Sequence, residues 1–303
     1  MKDCWVGVLL LGLLALPAQA ERNFVVGFAQ DTLANDWRIA QVMEVKRALE
    51  AYPEIDFIYT DAQGDTALQA MHIDDLVRHP VDVLITSPRD RHLLAPAVEA
   101  AHAQGIPVIL LTRDVATESY TSFVTLDNRA IGQAAARFVV EHLEGAGEVL
   151  MLEGVPNAST SIERGEGFMQ ALAGYPEIRV TQRTANFLRA DAIQVMDRLL
   201  QEGRRFDAVY SQSDSMLSGV RMSLTQAGIA PGDWLLIGID YITEARDAIA
   251  AGEQTLSFTF PTGGAQGAQL AVDLLQGRTV PRQIQLDSIP VTLDNLHQVE
   301  PIF

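Results

Sequence analysis

Short apolar runs alternate along the chain with stretches in which apolar residues recur every three or four positions. Residues 24–28, 55–59, 81–85 and 108–111 are apolar or alternating runs of strand length. Between them, 37–51 carries Ile39, Val42, Met43 and Leu49 at helical spacing, and helices are expected over about 65–78 and 92–103. The rhythm restarts with helices expected over about 130–143, 163–173, 190–201 and 215–227. Strands are expected between them at 148–152, 179–181, 208–210 and 235–239. A strand at 256–261, a helix at 264–275 and a strand at 284–286 close the pattern. Strands that alternate with helices imply right-handed βαβ units and parallel sheets.

The fold class expected is therefore α/β, with two doubly wound parallel-sheet lobes. A short echo supports a shared architecture. Ala51-Tyr52-Pro53-Glu54-Ile55 closes the first helix and opens the second strand of the first half, and Gly174-Tyr175-Pro176-Glu177-Ile178 does so in the second. Turn chemistry alone also accounts for such a match, because proline stops a helix and forces extension before it. The last segments are read as returning to the first lobe and then to the second. This places the lobes at 21–125 with 260–283 and at 126–259 with 284–303. Three crossovers make a hinge, and the cleft is expected at the carboxyl ends of the strands.

The first twenty residues follow another pattern. Lys2 precedes an uncharged apolar run from Trp5 to Leu16, followed by Pro17 and Ala18-Gln19-Ala20. This reads as a secretory signal peptide over 1–20, cleaved after Ala20 for export to the periplasm. The run is too short to span a bilayer comfortably. The only cysteine, Cys4, lies before it, so no intramolecular disulfide and no multi-cysteine metal site is expected.

Composition narrows the function. The 303 residues are 48% hydrophobic and carry a net charge of −17. So acidic a surface repels phosphate backbones, and nucleic acid is not an expected partner. No G-x-x-x-x-G-K-[ST] loop or G-x-S-x-G elbow occurs, and the first strand runs into Ala29-Gln30-Asp31-Thr32 rather than G-x-G-x-x-G. His72 and His79, and His92 and His102, lack the spacing of a helical zinc site. No enzyme activity, cofactor or metal is expected.

Six segments in order carry a resemblance: Gly27-Phe28-Ala29-Gln30 leading to Asn35-Asp36-Trp37-Arg38, the run from Ile106 to Arg113, Ser161 to Phe168, Ala185-Asn186-Phe187, Tyr210 to Met216, and Ile237-Gly238-Ile239-Asp240. Together they resemble the periplasmic sugar-binding proteins of the ribose-binding type, in their galactofuranose-binding branch. The resemblance implies a type I periplasmic binding fold with a three-segment hinge. It also implies a small sugar held between the lobes, and an ABC permease or a membrane sensor as partner, with the chain a monomer. Two departures are specific. Thr112 stands where the resemblance puts an aspartate, and Ser213 where it puts an asparagine. Hydroxyls there make weaker hydrogen bonds than ionised groups.

The residues expected to touch the ligand are Trp37, Arg38, Thr112, Arg113, Arg164, Phe187, Ser213, Asp240 and Thr259. Trp37 and Phe187 offer planes that stack on the C–H faces of a sugar, and arginine forks suit vicinal hydroxyls or a carboxylate. The competing reading makes the arginines surface or interlobe ion pairs, with Arg164 held by Glu163 or Glu166. Arg164 is expected on the first turn of its helix. Asp214 reads as a helix N-cap.

Overall fold

The computed structural model describes residues 23–79 and 81–303, so the signal peptide and cleavage site expected at 1–20 lie outside the described residues. The first half of the chain runs β1 (Phe24–Gln30), α1 (Asp36–Leu49), β2 (Ile55–Asp61), α2 (Thr66–Arg78), β3 (Val83–Thr86), α3 (Ala95–Ala103), β4 (Val108–Leu111) and β5 (Ser122–Leu126). The second runs α4 (Asn128–His142), β6 (Gly147–Glu153), α5 (Ser159–Leu172), β7 (Ile178–Thr184), α6 (Arg189–Gln201), β8 (Ala208–Ser211), α7 (Asp214–Gln226), β9 (Leu235–Asp240), α8 (Thr243–Ala250) and β10 (Leu256–Thr259). Then α9 (Gly264–Leu275), β11 (Gln283–Leu286) and β12 (Pro290–Val291) follow.

Two six-stranded sheets result, ordered β11-β5-β4-β3-β1-β2 and β12-β10-β9-β8-β6-β7. All pairings are parallel except β10 with β12. Alternate residues of the central strands feed opposite faces, as a period of two requires. Val83 and Ile85 join the core under α1 and α9, while Leu84 joins the core under α2 and α3. In the second lobe Val149 and Met151 pack under α4 and α5, and Leu150 and Leu152 under α6 and α7. Both sheets are thus covered on both faces.

The chain passes between lobes after β5, after β10 and after β11. The last passage differs from the expected boundary at 283/284, because all of β11 pairs in parallel with β5 of the first sheet. β5, α8 and β12 were not foreseen as elements. β12 has only two residues, and β5 follows a loop too polar to mark its start.

The sequence echo is matched in the backbone. Tyr52 and Tyr175 N–H groups donate to Leu49 and Leu172, and Ile55 and Ile178 donate to Tyr52 and Tyr175. A second correspondence had no visible sequence signal. The Asp82 carboxylate accepts from the N–H of Val25 at 2.7 Å, and the Asp207 carboxylate from that of Glu148 at 2.8 Å. Both pin the first strand of a lobe to the loop before its third.

α4 and α5 approach through glycines. A Cβ on Gly132 would fall inside van der Waals contact of the Arg164 carbonyl, and one on Gly167 against that of Arg129. Alanine for glycine within a helix ordinarily adds about 0.5–1 kcal/mol of stability. Here backbone meets backbone, so Gly132→Ala and Gly167→Ala are each expected to cost about 1–3 kcal/mol instead. Thermal melts check the sign, and a raised midpoint would contradict the close approach.

Candidate functional site

The strands of both sheets end at one cleft. Asp31 follows β1, Arg89 follows β3, and Thr112 and Arg113 follow β4. From the other lobe come Val155 after β6, Phe187 after β7, Ser213 after β8 and Asp240 at the end of β9. Phe260 enters from the hinge segment after β10. The space free of protein atoms between these walls is about 470 Å³ when the open mouth is counted, of which only about 40 Å³ admits the centre of a water molecule.

On the first lobe the organising group is the buried Asp31 carboxylate. Arg113 Nη1 donates to its Oδ2 at 2.8 Å, Arg38 Nε stands 3.4 Å from Oδ1, and Arg89 Nη1 lies 3.6 Å from Oδ2. Burial by itself would raise this carboxyl. Arg113, Arg38 and Arg89 outweigh it and hold the group below the ordinary aspartate range. Arg38 is steadied further by Nη1 bonds to Ser87 Oγ at 2.7 Å and Gln41 Oε1 at 3.1 Å. Burial, with Arg113 beside it, lowers the Arg38 pKa to about 9, against the opposing pull of Asp31 and Asp240. It stays charged at neutral pH.

On the second lobe Arg164 is buried, with Nε donating to Asn128 Oδ1 at 3.1 Å and Nη1 to the Gln212 carbonyl at 2.7 Å. Its guanidinium carbon lies 4.2 Å from the Phe260 ring centroid. The Phe187 ring lies 5.5 Å from the guanidinium carbon of Arg113 and 6.0 Å from that of Arg164, one from each lobe. Burial pushes the Asp240 carboxyl well above the ordinary range, with Arg164 and Arg38 opposing and Asp214 adding to the rise.

Backbone strain collects here. Thr112, Asn186, Phe187, Asp240 and Tyr241 all have positive φ, at 61°, 52°, 62°, 122° and 55°. Such residues cost about 1–3 kcal/mol each and persist only where their surroundings over-determine them. Phe187 shows how: its ring lies on Gly154, where any Cβ would collide with it.

The cleft is closed. Asn35 Nδ2 donates to the Phe187 carbonyl at 2.7 Å, Asn157 Nδ2 to Asp90 Oδ2 at 2.8 Å, and the Asp114 N–H to Ser159 Oγ at 3.0 Å. Each bond joins the two lobes.

Eight of the nine residues singled out in the sequence line this cavity: Trp37, Arg38, Thr112, Arg113, Arg164, Phe187, Ser213 and Asp240. Thr259 does not. Its hydroxyl accepts from the Ile289 N–H at 2.8 Å and its carbonyl from Ser288 Oγ at 2.7 Å, so it stitches two hinge segments together. The next residue, Phe260, faces the cavity, as strand alternation dictates. Arg164 sits on the second turn of α5, not the first, because Ser159, Thr160 and Ser161 extend the helix despite a composition that reads as loop. Neither flanking glutamate holds Arg164: Glu163 accepts from Asn128, and Glu166 pairs with Arg129. The N-cap of α7 is Ser213, and Asp214 turns inward instead. Trp37 lines the cavity but also packs on Phe260, with Nε1 donating to the Phe260 carbonyl at 2.9 Å. Asp31 and Arg89 were not foreseen. Both lie just beyond the carboxyl end of an apolar run, the place where open α/β sheets collect ligand groups.

A family model described as "Periplasmic binding protein domain" matches residues 26–279. The chain is 31% identical over 281 residues to the ribose import binding protein of Bacillus subtilis, covering 90% of this chain and 88% of that one. It is 29% identical over 241 residues to the galactofuranose-binding protein of Escherichia coli, covering 77% and 76%. Among solved structures, the fructose-binding periplasmic domain of a hybrid two-component system superposes with a TM-score of 0.85 at 28% identity, over 91% of this chain and 93% of that one.

A second carboxyl beneath the site sets a pH dependence. Asp214 accepts from Ser257 Oγ at 2.6 Å, the Tyr241 N–H at 2.7 Å and Gln254 Nε2 at 2.8 Å. Burial nonetheless pushes it up to about 6 from the ordinary 3.8. The folded chain thus holds this proton more tightly than the unfolded chain. The stability it contributes is fully present below 3.8 and is lost as pH rises through about 6. Asp240 acts in the same direction. The midpoint of the solute-free protein is expected to fall between about pH 5 and about pH 7, less steeply in Asp214→Asn. Melts across that range check it, and equal slopes in the two proteins would contradict the assignment.

Proposed function

Because this chain belongs to the periplasmic binding protein family, we propose that it captures a sugar or sugar-derived solute between its lobes and delivers it to an ABC-type permease. The observation that carries the reading is the closed cavity to which both lobes contribute guanidinium groups, a carboxylate and aromatic planes. Polyhydroxy solutes need that mixture. Arg38, Arg113 and Arg164 supply fixed forks of donors, and Asp240 accepts hydroxyl protons. Thr112 and Ser213 offer single hydroxyls. Trp37 and Phe187 supply planes for the C–H faces of the solute. The relatives' names describe binding proteins, in keeping with capture rather than turnover. Export with cleavage after Ala20, and action as a monomer, belong to the same proposal.

A second reading has its own support. The fructose-binding neighbour is a domain of a hybrid two-component system, so a lobe pair of this fold also occurs in a signalling protein. As a sensor subunit the chain would dock on a membrane kinase or chemoreceptor without releasing solute for uptake. Uptake of labelled solute by vesicles carrying the cognate permease supports transport. Solute-dependent kinase activity without uptake supports signalling.

Binding closes the hinge only by favouring the closed state over the open one. Calorimetry against neutral sugars, polyols and sugar acids, beside amino acids and peptides, is expected to give heat within the sugar-derived group. Small-angle scattering should then show a smaller radius of gyration with that solute. Tight binding of an amino acid or peptide alone would sink the reading.

Arg164→Ala is expected to weaken solute binding by about one to two decades, as loss of charge-assisted bonds to buried oxygens predicts. Because Arg164 also ties Asn128 to the Gln212 carbonyl, the solute-free midpoint is measured alongside. Unchanged affinity in a folded variant would remove Arg164 from the site.

A further inference from the structure

The ionisable side chains lining the cavity are Arg38, Arg89, Arg113 and Arg164 against Asp31 and Asp240. Four guanidinium groups thus face two carboxylates, inside a chain whose overall charge is −17. Three of the four arginines crowd one carboxylate, Asp31, which can balance only one of them. In a site sheltered from water such a surplus is weakly screened.

We propose that the solute is an anion, namely a sugar acid whose carboxylate meets the guanidinium cluster of the first lobe. The proposal rests on the sugar-derived reading above and narrows it. Donors remain for such a group. The buried Arg113 Nε has no hydrogen-bond partner. Arg113 donates to Asp31 through Nη1, Arg38 to Gln41 and Ser87 through Nη1, and Arg164 to Asn128 and the Gln212 carbonyl through Nε and Nη1. A carboxylate is planar, with two oxygens at the spacing of a guanidinium fork, and it neutralises charge where a hydroxyl cannot. The lowered Arg38 pKa is in keeping with this, since Arg113 already repels it and an arriving anion would relieve that repulsion. Thr112 contributes by absence: it adds a hydroxyl and no negative charge beside Arg113. The sugar hydroxyls are left to Asp240 and Ser213 on the other lobe.

The test is calorimetry with matched sets on the full chain: galactose, galacturonate and galactose 1-phosphate; glucose, gluconate and glucuronate; ribose and ribonate. At least one acid is expected to bind about tenfold or more tightly than its neutral parent. The margin should shrink several-fold in Arg89→Gln, whose folding is checked by its thermal midpoint. A neutral sugar that binds as well as its acid overturns this proposal and leaves the sugar-derived reading intact. Preference for the phosphate ester overturns the carboxylate assignment. An unchanged margin in folded Arg89→Gln overturns the placement on the first lobe. No binding by any sugar, acid or ester overturns both readings.

Discussion

The ion pair between Asp31 and Arg113 is the contact on which the cleft is built. Both side chains are 1% exposed, and Nη1 meets Oδ2 at 2.8 Å. Removing one partner from a buried pair strands the other, at a cost of about 3–5 kcal/mol. Here the loss would spread, because Arg38 and Arg89 face the same carboxylate. Without Asp31, the guanidinium groups of Arg38 in α1, Arg89 after β3 and Arg113 after β4 would lose the carboxylate they share. The pair therefore does more than stabilise one lobe. It sets the positions of the groups that a solute would meet first.

How the sequence discloses such a site depends on where a residue sits relative to its strand. Arg113 and Asp240 were legible because each closes a segment that carries the family resemblance, and chain direction in a parallel sheet puts strand ends at the cleft. Asp31 and Arg89 obey the same rule, one and three residues beyond β1 and β3, but neither belongs to a segment that carries the resemblance. Thr259 was misjudged for a related reason. One step along a strand exchanges its faces, so an uncertainty of one residue separates a hinge stitch from the cavity wall held by Phe260. The lobes themselves were legible, since two sheets covered by helices leave a repeated pattern. β5 and β12 were less so, being short and joined by polar loops. The matching roles of Asp82 and Asp207 left no trace, because they depend on hydrogen bonds to distant strands.

The strained residues belong to the same logic. Thr112, Phe187 and Asp240 hold left-handed or related backbone conformations that branched and bulky residues avoid. Asp240 ends β9, Thr112 directly follows β4 and Phe187 lies three residues beyond β7, where the chain must turn away while its side chain stays at the cleft. Gly154 and Gly238 make room on the opposing side: the first for the Phe187 ring, the second for the Asp214 carboxylate. Rigid sheets beneath and small residues alongside fix these turns, so each lobe carries its half of the site in a set shape.

The threading of the chain through both lobes has a consequence for how the protein is made. α9 covers one face of the first sheet and β11 lies at its edge, yet both follow the whole of the second lobe in sequence. During synthesis the first lobe can collapse around β1 to β5, but its apolar face over Val26, Phe28 and Ile109 is covered only in part, by α1, until residues 264–275 arrive. Contacts between segments so far apart form slowly, because loop closure precedes the burial that rewards it. The amino-terminal part of the chain is thus kept from completing its fold until nearly all of the chain has emerged.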